Sequence, residues 1–175
     1  MSQRDSGYAR KERDLYETPY WVTEALLPHI RRPRLIWEPA CGTGMMVDVL
    51  MSVATVVGSD IHYGQDFLAP LTQDIPDRAD AIITNPPYNQ AQEFIEMALE
   101  IMEPRGGYVS MLLRTDYDHA KTRAHLFRDC PAFSKKVVLT KRIVWFEGGK
   151  SPSFNHAWFI WDWQHEGPAT IGYGP

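Results

Sequence analysis

From residue 34 onward, short runs rich in β-branched, aliphatic and aromatic residues alternate with segments whose apolar residues recur at helical spacing. No other feature restricts the fold as much, because strands separated by helices build βαβ units and therefore a parallel sheet. Strands are expected over 34–38, 54–59, 79–84, 107–113, 136–140 and 157–163, the second of them fully buried and ending in Asp60. Helices are expected over 18–30, 45–51, 91–103 and 118–128. The first of these opens on Thr18-Pro19, an N-cap residue followed by a proline at the first helical position.

Three successive strands end in a polar residue, Glu38, Asp60 and Asn85, and each is followed by a loop poor in helix formers. In an open α/β sheet the ligand crevice lies outside the carboxyl ends of the strands, so these three side chains should converge on one crevice. After Glu38 the chain reads Pro39-Ala40-Cys41-Gly42-Thr43-Gly44, whose glycines let the backbone turn sharply and approach a ligand. Val47 stands where a dinucleotide fingerprint needs its third glycine, and no Lys-Ser/Thr pair follows as in a phosphate-cradling loop. A dinucleotide oxidoreductase is therefore the weakest reading. An acid at this strand end suits a cation better than a pyrophosphate.

Asp60 is placed to accept the hydroxyls of a ribose, and Asp66, beside Phe67, to accept from the exocyclic amine of a purine. In Asn85-Pro86-Pro87-Tyr88 the two prolines fix φ and remove two donors, which leaves a rigid set of acceptors. The amide oxygen of Asn85 and the carbonyl of Pro86 can hold both hydrogens of a planar amino group, while Tyr88 offers a face on which its ring stacks.

Cys41 and Cys130 lie far apart, outside any CxxC or Cys/His pattern, which argues against a disulfide framework and a structural metal. No apolar run is long enough to span a bilayer, and the polar stretch 1–14 lacks the apolar core of a signal peptide, so a cytoplasmic protein without membrane contact is expected. Between Arg105 and Lys150 stand ten Lys/Arg against four acids, although the whole chain carries −4. That segment could face a polyanion, with Lys121 and Arg123 among the candidate phosphate contacts.

The order Thr18-Pro19, Glu38 to Gly44, Asp60, Asp66-Phe67, Asn85 to Tyr88 resembles the S-adenosylmethionine-dependent adenine-N6 DNA methyltransferases. It is especially similar to short phage and prophage members, which also carry a Tyr-Gly-x-Asp-Phe-Leu stretch and a late aromatic strand like Ala157 to Trp161. The resemblance implies one Rossmann-like domain over 15–165, with a mostly parallel seven-stranded sheet, an antiparallel late strand and helices on both faces. A flexible arm over 1–14 and a tail over 166–175 flank it. It further implies that S-adenosylmethionine is the cofactor, with Thr18-Pro19 at its methionine carboxylate, Glu38 and the Pro39 to Gly42 backbone at its methionine moiety, Asp60 at its ribose and Asp66-Phe67 at its adenine.

The same resemblance makes Asn85, Pro86, Pro87 and Tyr88 the catalytic loop and places a base-covering aromatic near Trp145 or Phe146. Nucleic acid, DNA foremost, is the expected partner, with a second subunit or a homo-oligomer as a source of specificity. Two departures stand out: only five residues separate Asp60 from Asp66, where the family usually inserts a helix, and the chain has no room for a target-recognition domain. RNA, a protein glutamine amide or guanine N2 remain alternative acceptors, and a non-catalytic cofactor- or nucleic-acid-binding module is the alternative from another class.

Overall fold

The computed structural model describes residues 16–69, 75–145 and 154–175. Seven strands form one sheet: β1 (Leu35–Glu38), β2 (Thr55–Gly58), β3 (Ala81–Thr84), β4 (Tyr108–Arg114), β5 (Phe133–Leu139), β6 (His156–Asp162) and β7 (Thr170–Gly174). Their spatial order is β2-β1-β3-β4-β6-β5-β7. Neighbours from β2 to β4 are parallel, as are β5 and β7, while β6 runs antiparallel to both β4 and β5. The sheet is thus mostly parallel with one reversed late strand. Glu38, Thr84, Arg114 and Leu139 finish their strands at the same end of the molecule, where reversed β6 begins with His156.

Side chains alternate across the sheet. Ile36, Ala81, Ile83, Tyr108, Leu112, Trp158 and Ile160 pack on one face with Val22 and Leu26, and with Met46 and Leu50 of α2 (Met45–Leu50). Trp37, Ile82, Val109, Met111, Phe159 and Trp161 face the other way, onto Phe94, Ile95, Ala98 and Met102 of α3 (Ala91–Met102). Gly44, with φ of 99°, supplies the left-handed backbone that turns the β1 loop into α2.

Several local expectations need correction. The helix predicted over 18–30 is a short α1 (Tyr20–Glu24) followed by a 3₁₀ turn at Leu27–His29, because Pro28 removes a donor the helix would need. Pro19 rather than Thr18 occupies the N-cap position. The helix predicted over 118–128 is replaced by 3₁₀ turns at Tyr117–His119 and Lys121–Leu126. β2 is mostly exposed instead of buried, since it forms one edge of the sheet. The stretch read as a tail contributes β7, which pairs with β5 from Lys135↔Thr170 to Leu139↔Gly174. The arm over 1–14 lies outside the described residues. Among the described residues no helix is long and apolar enough to cross a membrane.

Candidate active site

Glu38, the last residue of β1, is 1% exposed, and its Oε2 has no hydrogen-bond partner among the described residues. Burial, and after it the neighbouring Asp60, pushes its carboxyl well above the usual carboxylate range. Asp60, just beyond β2, binds the loop that follows Glu38: Gly42 N donates to its Oδ2 at 2.9 Å and His62 N to its Oδ1 at 2.9 Å. Asp60 therefore caps the 3₁₀ turn Ile61–Tyr63 and fixes the Cys41-Gly42 turn, which Cys41 N also secures on Ser59 O at 3.0 Å. The Cys41 thiol is pushed up to about 11 by burial first, then by Glu38 and Asp60, which leaves it protonated and unsuited to nucleophilic work.

Asn85 follows β3. Its Nδ2 donates to Tyr16 O at 3.3 Å and to Thr18 Oγ1 at 3.1 Å. A carbonyl can only accept, so the Tyr16 contact fixes which end of the amide is nitrogen. The other end, Oδ1, is buried and lacks a partner among the described residues. Pro86 is buried, Pro87 half-buried, and Tyr88 begins the 3₁₀ turn Tyr88–Gln90. The Tyr88 hydroxyl lies 2.8 Å from His156 Nε2. The Tyr16 ring stands 6.3 Å from that of Tyr88 and 5.7 Å from that of Trp145.

Two adjoining cavities open on this crevice. One is lined by Pro39, Ala40, Asp60, Ile61, His62, Asp66, Asn85, Pro86, Pro87, Tyr88 and Phe94. The other is lined by Thr18, Glu38, Ala40, Cys41, Thr43 and Asn85. Tyr16, Glu17, Ala40 and Asn85 belong to both, so the segment before α1 lies across their junction, held by Asn85 and by Thr43 Oγ1 donating to Glu17 Oε1. The structure therefore brings together Thr18, Glu38 to Gly42, Asp60, Asp66 and Asn85 to Tyr88. Gly42 contributes through its backbone rather than as a wall.

Other candidates fall elsewhere. Phe67 is 2% exposed and sits in the core, edge-on to Trp37 at 5.1 Å and beside Phe94 at 4.8 Å. Phe94, with Tyr16 and Tyr88, supplies the aromatic lining of the first cavity instead. Asp66 Oδ1 closes a turn by accepting from Leu68 N at 3.0 Å. Pro19 starts α1 and lines neither cavity. Arg123 stacks on Tyr117 and donates to its carbonyl, and Lys121 lines a separate hollow with Asp118, Phe127 and Pro168. Neither reaches the crevice. Trp145 packs near Tyr88 through Tyr16 and His156, while Phe146 lies outside the described residues.

Sequence reasoning missed Tyr16, Phe94 and His156. The signal for His156 was a polar residue heading an otherwise apolar strand, which in a reversed strand faces the same end as Glu38 and Asn85. Among the described residues no group of three His, Cys, Asp or Glu side chains is placed to hold a metal ion.

No protein-family model matches the sequence, and no curated protein matches it. Solved structures do resemble it. One, named a class I S-adenosylmethionine-dependent methyltransferase from Listeria monocytogenes, aligns over 88% of this chain and 62% of its own at 16% identity, with a TM-score of 0.56. The M protein of the type I restriction enzyme EcoKI aligns over 93% of this chain and 49% of its own at 12% identity, with a TM-score of 0.61. A dimethyladenosine transferase from Plasmodium falciparum aligns over 81% and 60% at 15% identity, with a TM-score of 0.55. The chain spans about half to three fifths of the length of these structures, and what they share with it is the fold.

Proposed function

We propose that the chain binds S-adenosylmethionine and directs its methyl group onto an exocyclic amine, with adenine N6 in DNA as the favoured acceptor. The observation that carries this reading is Asn85: its amide nitrogen is held by Tyr16 and Thr18, so its buried oxygen is left as an acceptor at the crevice. A buried acceptor without a donor is costly unless something arrives to use it.

The residues present fit the cofactor. Glu38 is a buried acid with an oxygen that lacks a partner among the described residues, and a cationic ammonium is the partner that would favour its ionised form. Asp60, Asp66 and Phe94 line the neighbouring cavity, where the hydroxyls and ring of an adenosine would meet carboxylates and an aromatic wall. When bound, the cofactor supplies a methyl group already activated on a sulfonium.

The chain's own contribution is positional. Asn85 Oδ1 and the Pro86 carbonyl accept the two amine hydrogens, which favours a pyramidal nitrogen whose lone pair is no longer spread into the ring. Tyr88 receives the face of a base that has left its stack. Extrusion costs a few kcal/mol, and stacking returns about 1–3 kcal/mol per base. A heteroaromatic acceptor suits the Tyr88 ring better than a glutamine amide does, and the likeness to a restriction-enzyme M protein supports DNA. Adenine in RNA is the second reading, favoured by the likeness to a dimethyladenosine transferase. Sequence recognition is read as the work of a partner subunit or a second copy, and the setting as the cytoplasm, where such polymers are met.

The test is transfer of label from methyl-labelled S-adenosylmethionine to unmethylated genomic DNA, bulk RNA and whole-cell protein, with Asn85→Ala as control. Label recovered from DNA as N6-methyladenine is the expected result. Label confined to RNA or protein would overturn the DNA assignment, and no label anywhere would overturn the reading itself.

A further inference from the structure

His156 is the first residue of β6, opposite Arg114 in the β4 ladder, and only 4% of it is exposed. The five residues after it, Ala157 to Trp161, are apolar and buried. An imidazole at the head of this run gives the core less than an aliphatic side chain would. Its Nδ1 has no partner among the described residues, and a buried polar atom left so is a cost to the fold. Among the described residues its side chain makes one hydrogen bond, between Nε2 and the Tyr88 hydroxyl at 2.8 Å, with the two rings 30° from parallel and their centroids 6.0 Å apart. Trp145 closes over the imidazole edge-on, 5.3 Å away at 82°.

We propose that His156 is the positioning residue of the Asn85 to Tyr88 loop, holding the Tyr88 hydroxyl and thereby the plane of the ring on which the target base stacks. This rests on the functional reading above. A tyrosine at a crevice mouth turns about its Cα–Cβ and Cβ–Cγ bonds; a hydrogen bond at the far end of the ring restrains the first, and because a phenol O–H lies in the plane of its ring, the direction of that bond also biases the second. A base stacked on a ring whose hydroxyl is no longer held by His156 would present its amine to Asn85 Oδ1 with more scatter, and small misplacements of a reacting atom are costly in rate. The imidazole is suited to the task because it stays neutral. Burial first, and Arg114 second, push it down to about 4, with Asp116 opposing, so the bond keeps one form across physiological pH.

The experiment measures kcat and cofactor affinity for the wild type, Tyr88→Phe, His156→Phe, His156→Gln and the double variant Tyr88→Phe/His156→Phe. The substrates are labelled S-adenosylmethionine with unmethylated genomic DNA and bulk RNA, and thermal unfolding reports folding. Tyr88→Phe and His156→Phe should each lower kcat at least tenfold with cofactor affinity unchanged, and the double variant should be no worse than either. His156→Gln, whose amide can reach the hydroxyl, should recover most of the loss. If His156→Phe does not fold, Tyr88→Phe and His156→Gln carry the test. Wild-type turnover in Tyr88→Phe, or additive losses in the double variant, overturn this inference while leaving the methyltransferase reading intact. A wild type that labels neither polymer removes the functional reading, and the positioning role with it.

Discussion

Glu38→Gln separates two quantities that usually move together, the stability of the protein and its affinity for the cofactor. In the free protein the carboxyl is buried, its Oε2 lacks a partner among the described residues, and its pKa is raised by burial and by Asp60. A raised pKa means that the folded state holds the proton more tightly than the unfolded chain. This group's contribution therefore favours folding less as pH rises from the unfolded value toward the folded one. Gln at 38 removes that loss, so the free variant should be at least as stable as the wild type at neutral pH and above.

Affinity should move the other way. An ammonium placed against Glu38 gives a charge-assisted hydrogen bond, a contact of about 1.5–3 kcal/mol. Its loss corresponds to roughly ten- to a hundredfold in Kd. If the proposed ammonium contact requires the ionised carboxylate, wild-type affinity should rise with pH up to the raised pKa and then level off, with proton release on binding across that window. Titration calorimetry in buffers of different ionisation enthalpy measures both, and thermal unfolding of the free proteins measures stability. Glu38→Gln with wild-type affinity, or binding without proton release at any pH between 5 and 9, would refute the reasoning.

On the proposed acceptor role, Asn85→Ala should lower turnover roughly a hundredfold or more, and methyl-transfer rates at saturating cofactor test this. Since Asn85 Nδ2 also pins Tyr16 and Thr18, cofactor affinity should fall slightly, and an unchanged rate would contradict the acceptor role. Gly107→Ala should destabilise the fold by about 1–3 kcal/mol, because a Cβ there would lie 2.6 Å from Met102 Sδ and 2.9 Å from Asp80 O; a Tm equal to wild type would refute it. Lys141→Glu and Arg142→Glu, on exposed residues just past β5 at the crevice end, should weaken DNA binding and flatten its salt dependence. The same changes at Lys121 and Arg123 should do less, and equal effects in salt titrations of DNA affinity would return the phosphate contacts to that segment.

The strand ends were legible because their chemistry is local. Glu38, Asp60 and Asn85 each close an apolar run, and sheet topology alone brings them to one end. The residues that complete the crevice were not, because their roles arise from pairings between distant segments. Tyr16 reaches the site through Asn85, 69 positions away, and His156 reaches it through Tyr88, 68 positions away. Phe67 was misjudged because an aromatic beside Asp66 lines a pocket only if the turn points it outward, and here the turn points it at Trp37. The 118–128 segment has helical composition, but it turns as 3₁₀ between the ends of β4 and β5. The sixth and seventh strands likewise differ in legibility: Ala157 to Trp161 is unmistakably apolar, whereas Thr170–Gly174 carries two glycines in five residues and acquires its form only by pairing with β5.

The reversed strand also governs when the crevice can exist during synthesis. β6 is inserted between β4 and β5, so the centre of the sheet stays open until residues 156–162 have left the ribosome. Trp158 then donates its indole N–H to Val22 O across 136 positions of chain, a closure whose entropy must be met before its contacts form. A nascent chain that already displays Glu38, Asp60 and Asn85 therefore has the crevice residues without their geometry. Folding should be a late, concerted event, with β1 to β4 gaining protection from hydrogen exchange together with β6 and not before it.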